Sequence, residues 1–444
     1  MNKVIRKSLA AALAAAMAIS IAGCGGEKAA EPTTAPETSA QSTTPAASGE
    51  KVTLNLWHIQ TTDPMPGIIE DSMKRFSADN PNYEVVVTPM QNDAFKTKLQ
   101  IAMGSNSAPD IFPHWTGGPM NAYVEAEKIV DLTTYMNEND YKGRFMDAAI
   151  SQVTYKDKLW AVPVENTSVA MMFYNKELFA KYNLQVPKTI SELEKVADTL
   201  KSNGIIPFSL ANKTQWTGSM WYCYLVDRYG GASAFTNAAN RSGGSFENEA
   251  FTQAGTKLQE WVKKDYFNKG FNGTDEDSGQ SRTLLYTGKA AMTLMGSWFL
   301  STVGGENKEF LEKVGSFAFP AADGGKGDPN ACLGTVGDNF YSVAANSKDP
   351  AAAFKAITYM IDETAAAKRI EAGRIPPIKG VTVSDPRLQE VLNAVQKAPT
   401  VQLWYDQYLS AELSQLHKDT SQALFGLEKT PEQVNKEMEA LAAK

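Results

Sequence analysis

Cysteine is nearly missing from this chain of 444 residues: only Cys24, Cys223 and Cys332 occur. At most one disulfide joins the last two, and neither a disulfide framework nor a zinc pattern can be drawn from them. Histidine is as scarce, and His58, His114 and His417 stand at no metal-ligand spacing. A zinc centre therefore lacks its usual donors. No G-x-G-x-x-G opens a helix, and no P-loop or G-x-S-x-G elbow occurs, so no cofactor and no metal are expected. "TDEDSGQ" (274–280) carries oxygen ligands but falls short of a calcium loop and reads as an acidic, solvated turn. Basic charge is in deficit too, with 43 Lys and Arg against 50 Asp and Glu. Without a basic stripe to displace counterions, nucleic acid is not a partner. Fifty acids offer many accidental pairs, so glycoside hydrolysis by two carboxylates is not excluded.

The first fifty residues differ from the rest. Lys3, Arg6 and Lys7 precede an apolar or small stretch from Ser8 to Ala22, the layout of a secretory signal peptide over 1–23. No later stretch approaches eighteen consecutive apolar residues. The stretch ends in "IAGC" (21–24), which resembles a bacterial lipobox and implies a diacylated Cys24. Two acyl chains, at roughly 0.8 kcal/mol per buried CH₂, hold a protein durably at a membrane. From Gly25 to Glu50 the chain is Ala, Thr, Ser, Pro and Glu without large apolar residues, so 24–50 reads as a lipidated end and disordered tether. Removing the three leader cations leaves 40 basic against 50 acidic residues, a charge of −10.

About 390 residues follow, more than one core usually serves, so two lobes are expected. "KVTLNLWHIQ" alternates Val52, Leu54 and Leu56 with polar residues, a strand. "PGIIEDSMKRFSADNP" spaces Ile69, Met73 and Phe76 as a helix does. "YEVVVTPM", "DAFKTKLQIAMGSN" and "PDIFPHW" continue as strand, helix and strand. That alternation implies right-handed βαβ crossovers and a parallel sheet. It resumes with "ISELEKVADTLKSNG" and "IIPFSL", which implies a second sheet joined to the first by crossing chain. Helical patterns close the sequence.

Tryptophan placement is the most informative feature. Trp115 follows a strand end, Trp216 and Trp221 lie in "NKTQWTGSMW", Trp298 follows "AMTLMGS", and Trp404 with Tyr405 sits in "PTVQLWYDQY". A single indole is more often core than platform. Several placed just beyond strand ends point instead to a cleft, because ligands of open α/β sheets bind there. Indole faces complement the C–H face of a pyranose. Polar partners for hydroxyls flank them: His58 and Asp63 after the first strand, Glu165 and Asn166 after "VPV", Asp338 and Asn339 in a turn before a strand, and Arg374 beside a diproline. A guanidinium fork or a carboxylate can hold two neighbouring hydroxyls.

These pieces resemble, in order, the extracellular solute-binding proteins of ABC importers, in the sugar-binding group that includes the maltose-binding protein. The matching stretches are "LNLWH", "APDIF", "LWAVPVENTSVAMMFYNKELF", "GKAAMTLMGSW", "DNFYSVAANSKDPAAAFKAITYM", "GRIPPIKGV" and "LWYDQY". The resemblance implies a type II periplasmic-binding-protein-like α/β fold with the ligand cleft between two hinged lobes, 51–164 plus 341–385 and 165–340 plus 386–444. It implies sugar stacking on Trp298 and Trp404 and lobe-one contacts from His58, His114 and Trp115. "WTGG" and "GDNF" look closest to members that bind raffinose-like or xylan-derived oligosaccharides. The expected protein is a monomeric receptor, lipid-anchored on the extracellular face of the cell membrane, that hands an unaltered sugar to permease subunits. The rival is a surface-anchored polysaccharide-degrading enzyme.

Overall fold

A computed structural model describes residues 51–444. The signal peptide, Cys24 and the tether lie outside the described residues. Within them the strands are β1 (Val52–His58), β2 (Tyr83–Pro89), β3 (Ile111–His114), β4 (Thr154–Tyr155), β5 (Lys158–Leu159) and β6 (Val162–Asn175). They continue as β7 (Ile206–Phe208), β8 (Ala290–Gly296), β9 (Val314–Phe317), β10 (Cys332–Val343) and β11 (Val401–Gln402).

The first half forms as its pattern requires. β1 pairs in parallel with both β2 and β3. Leu54 and Leu56 face one apolar cluster with Phe76, Ile111 and Ile357, while Phe112 joins Phe95, Leu99 and Met120 in another. A parallel sheet needs both faces covered, and helices such as Met65–Asp79 and Asn92–Gly104 cover them. In the second half β7 and β8 are parallel, inside a larger core that runs from Val169 to Leu333 and from Ile375 to Met438.

The sheet differs from the expectation of two parallel sheets. β6 and β10 run antiparallel to each other, and β6 is antiparallel to β8 as well. One path, β2-β1-β3-β10-β6-β8-β7, therefore crosses the whole molecule. The reason is directional: β6 carries the chain out of the first half and β10 carries it back. β6 is 14 residues long, and its first part pairs with β10 while its last part pairs with β8 and β9. The result is a two-lobed α/β protein whose lobes share two long strands.

Candidate ligand-binding cleft

A cavity of about 250 Å³ lies between the two cores. Its first wall is built by the loops just past the carboxyl ends of β1, β2 and β3. Because those strands are parallel, all three ends open on one edge. They deliver Gln60, Thr61 and Thr62, then Gln91, Asn92 and Lys96, then Trp115. Lys96 Nζ lies 4.4 Å from the Trp115 ring centroid, a cation–π contact. Burial pushes the Lys96 amine below its ordinary value, while Asp93, Asp406 and Asp338 pull it back up.

The opposite wall carries three indoles among polar groups such as Glu276, Arg282, Glu306 and Asp406. Trp216 opens the helix Trp216–Gly230, Trp298 opens the helix Trp298–Glu306 directly after β8, and Trp404 follows β11. Trp298 sits between the other two, with centroids 6.1 Å from Trp216 and 6.0 Å from Trp404 at tilts of 57° and 65°. The three indoles thus make a curved surface. Gly296 seats the middle one: a Cβ there would lie closer than 3.0 Å to the six-membered ring of Trp298. The ring folds back over that backbone, which only glycine leaves free.

The floor is the junction of three chain segments. The register of β10 against β6 shifts between Val336 and Asp338 and again before Phe340, and Asn339 has φ 62°. Such a bulge re-aims side chains. It brings Asp338 and Asn339 to the cavity, where Arg374 joins them. Arg374 donates from Nη2 to Gln60 Oε1 at 3.3 Å. Burial pushes the Asp338 carboxyl up to about 6, against the pull of the Arg374 cation. Trp216 Nε1, Arg374 Nε, Asn339 Oδ1 and Gln407 Oε1 are buried without a hydrogen-bond partner, and all four residues line the cavity. Two are donors and two are acceptors. Each uncompensated group costs about 1–3 kcal/mol.

Seven of the residues singled out in the sequence line the cavity: Trp115, Trp216, Trp298, Asp338, Asn339, Arg374 and Trp404. Asp338 and Asn339 do so from inside β10 rather than from a turn before a strand. The other seven do not line it. Trp221 is 0% exposed and packs on Phe208, Trp261 and Phe267. It lies five residues beyond Trp216, about 140° around the helix, whereas Met220 and Cys223 share the face of Trp216. Tyr405 stacks on Phe235 at 3.4 Å in the core.

His58 shares the inward parity of Leu54 and Leu56 on β1, so it is buried. Desolvation first, and then the Arg369 cation, push its imidazole down to about 4. His114 follows the parity of Phe112 and meets Ser342 Oγ at 2.6 Å. Glu165 is fully buried and bonds Arg369 at 3.3 Å. The Asn166 Oδ1 accepts from Ile375 N at 2.7 Å, tying β6 to the segment after Arg374. Asp63 is exposed outside the cavity. The 274–280 segment is not fully solvated, because Glu276 is buried against Arg282.

Sequence reasoning missed Gln60, Thr61, Lys96, Met220, Asp406 and Gln407. The signal for the first two was available: the strand alternation ends at His58, so the strand-end loop begins beyond it.

An α/β fold with two lobes and a cavity at converging strand ends defines a binding-protein architecture. Residues 59–367 match the bacterial extracellular solute-binding protein family, and the chain belongs to that family. A solved structure from work on xylan utilization by the thermophilic bacterium Caldanaerobius polysaccharolyticus is 33% identical, with 88% of this chain and 100% of that one covered at a TM-score of 0.82. A chitin oligosaccharide binding protein shares the fold at 23% identity, TM-score 0.80, covering 89% and 99% of the two chains. An ABC transporter extracellular-binding protein of Pyrococcus horikoshii is 27% identical over 252 residues, 55% of each chain. The match thus spans about half the length of that relative.

Proposed function

We propose that this protein is the receptor of a carbohydrate ABC importer, holding a sugar or oligosaccharide unaltered in the cleft. The carrying observation is the pairing of a curved wall of three indoles with polar strand-end residues and four unpartnered donors and acceptors. A hydroxyl both donates and accepts, so a sugar answers both kinds of orphan while its C–H face covers an indole. The binding residues in this reading are Trp115, Trp216, Trp298, Trp404, Asp338, Asn339 and Arg374. The xylan context of the relative from Caldanaerobius polysaccharolyticus and the chitin oligosaccharides of the second structural neighbour support a carbohydrate.

In mechanism, sugar contacts to both walls favour the state with the lobes together, by the difference in its affinity for the two states. The hinge lies where Asn166–Thr167, Val336–Asp338 and Ile375 meet. The lobes are taken as 51–164 plus 341–385 and 165–340 plus 386–444. A monomer anchored through Cys24 on the extracellular face of the cell membrane, delivering sugar to permease subunits, completes the reading. No chemistry on the sugar is involved.

The test is a thermal-shift screen of mono- and oligosaccharides, with analysis of the incubated sugar afterwards. A raised melting temperature with unchanged sugar is expected. New reducing ends would replace the receptor by a polysaccharide-degrading enzyme.

A further inference from the structure

We propose that Gly118 and Gly305 are the two contact points that set how far the lobes close, and that the missing side chains there are a requirement of tight binding. The inference rests on the hinged-receptor reading and adds the geometric stop to it.

The two sites bracket the cavity. On one rim, a Cβ at Gly118 would fall closer than 3.0 Å to the backbone oxygen of Leu409, two residues beyond the cavity-lining Gln407. On the other rim, a Cβ at Gly305 would fall equally close to the backbone oxygen of Asp63. There Thr62 and Glu306, the immediate chain neighbours of that contact, line the cavity. In each case one partner belongs to the first lobe and the other to the second. The obstacle is backbone in both, which cannot swing aside as a side chain does. An alanine would therefore hold the walls apart by about 1 Å, beyond the reach of simultaneous contacts to both walls.

Local conformation does not explain either glycine. Gly118 opens the helix Gly118–Glu125, and Gly305 lies in the helix Trp298–Glu306, neither in the left-handed region. Alanine is the better helix former at such positions. Gly117 also abuts Gln407 but has φ +74°, so it would confound the test. Gly304 is the internal control, since its added Cβ meets only Leu311 Cδ2 at 3.5 Å.

The experiment compares Gly118→Ala, Gly305→Ala and Gly304→Ala with wild type by titration with xylotriose, chitotriose and stachyose. Ligand-free melting and the distance between spin labels at Gln100 and Lys263 are measured alongside. Expected are a tenfold or greater rise in Kd for the first two variants and none for Gly304→Ala. Ligand-free melting temperature should be unchanged or raised, and the short label distance depleted. Wild-type affinity in both variants, an unchanged distance distribution, or a lowered melting temperature would each overturn the inference. If none of the sugars binds wild type, the receptor reading suffers, and the label distances still decide the glycines.

Discussion

The two walls of the cleft are built from the same kind of element, loops beyond parallel strands, yet they differ in chemistry. The second-lobe wall carries three indoles in a row beside charged and amide groups such as Glu276, Arg282, Asp406 and Gln407. The first-lobe wall is mainly amides, hydroxyls, Lys96 and Arg374, with Ile59, Met65 and Trp115 as its apolar members. Indoles supply area that is nearly direction-free, whereas amides and hydroxyls reward one orientation only. On the proposed reading a ligand docks on the indoles while the lobes are apart, and gains the first-lobe contacts, Gln60 and Arg374 among them, when they meet. In that reading the indoles serve capture, and discrimination falls to polar groups of both lobes, Arg374 on one side and Asn339 and Gln407 on the other.

The sharpest way to break that division is Trp298→Ala, which removes the middle indole. Affinity for the best sugar should fall by about 30- to 1000-fold, or about 2–4 kcal/mol, with the ligand-free melting point little changed. Calorimetric titration checks it. Its counterpart, Trp221→Ala, should cost about 3–5 kcal/mol of stability in denaturant melts, because that indole fills the core. On the polar side, Arg374→Gln should weaken binding by about 10- to 100-fold, the worth of a charge-assisted hydrogen bond. Selectivity between epimeric sugars should narrow with it, whereas Trp298→Ala should weaken epimers alike.

Stability is further set by pH. The Asp338 carboxyl, held at about 6 in the fold, stabilises the protein fully below about pH 4, and this is lost as pH rises to 6. Buried His58 and His114, held near 4, act oppositely and lose stability as pH falls below about 6.5. The Asp338 contribution is isolated by comparing melts of wild type and Asp338→Asn. The variant should gain up to about 3 kcal/mol relative to wild type between pH 4 and 7. Least of all, Lys96→Met should cost about threefold in affinity, since its cation–π contact with Trp115 contributes about 0.5–1 kcal/mol.

Much of this was legible before any coordinates. Alternation in β1 and the spacing of Phe95, Leu99 and Met103 announce strand and helix directly, because each residue's face follows from its own position. Trp298 was legible because it stands just past a buried strand, and Arg374 because it abuts a diproline. His58 was misjudged on chemistry when the parity of β1 already pointed it inward, and His114 because β3 is buried on both faces. Trp221 was grouped with Trp216 because both lie in "NKTQWTGSMW", though a helix turns the second away.

Sequence alone determined many of the elements, the two-lobed α/β class and the strand-end tryptophans, since these follow from chain length and local order along the chain. Tertiary structure alone decided the antiparallel crossing of β6 and β10, the bulge that aims Asp338 and Asn339, and the meeting of Gly118 with Leu409. Those depend on segments more than 160 residues apart, and their distance in space is set only when both cores have packed.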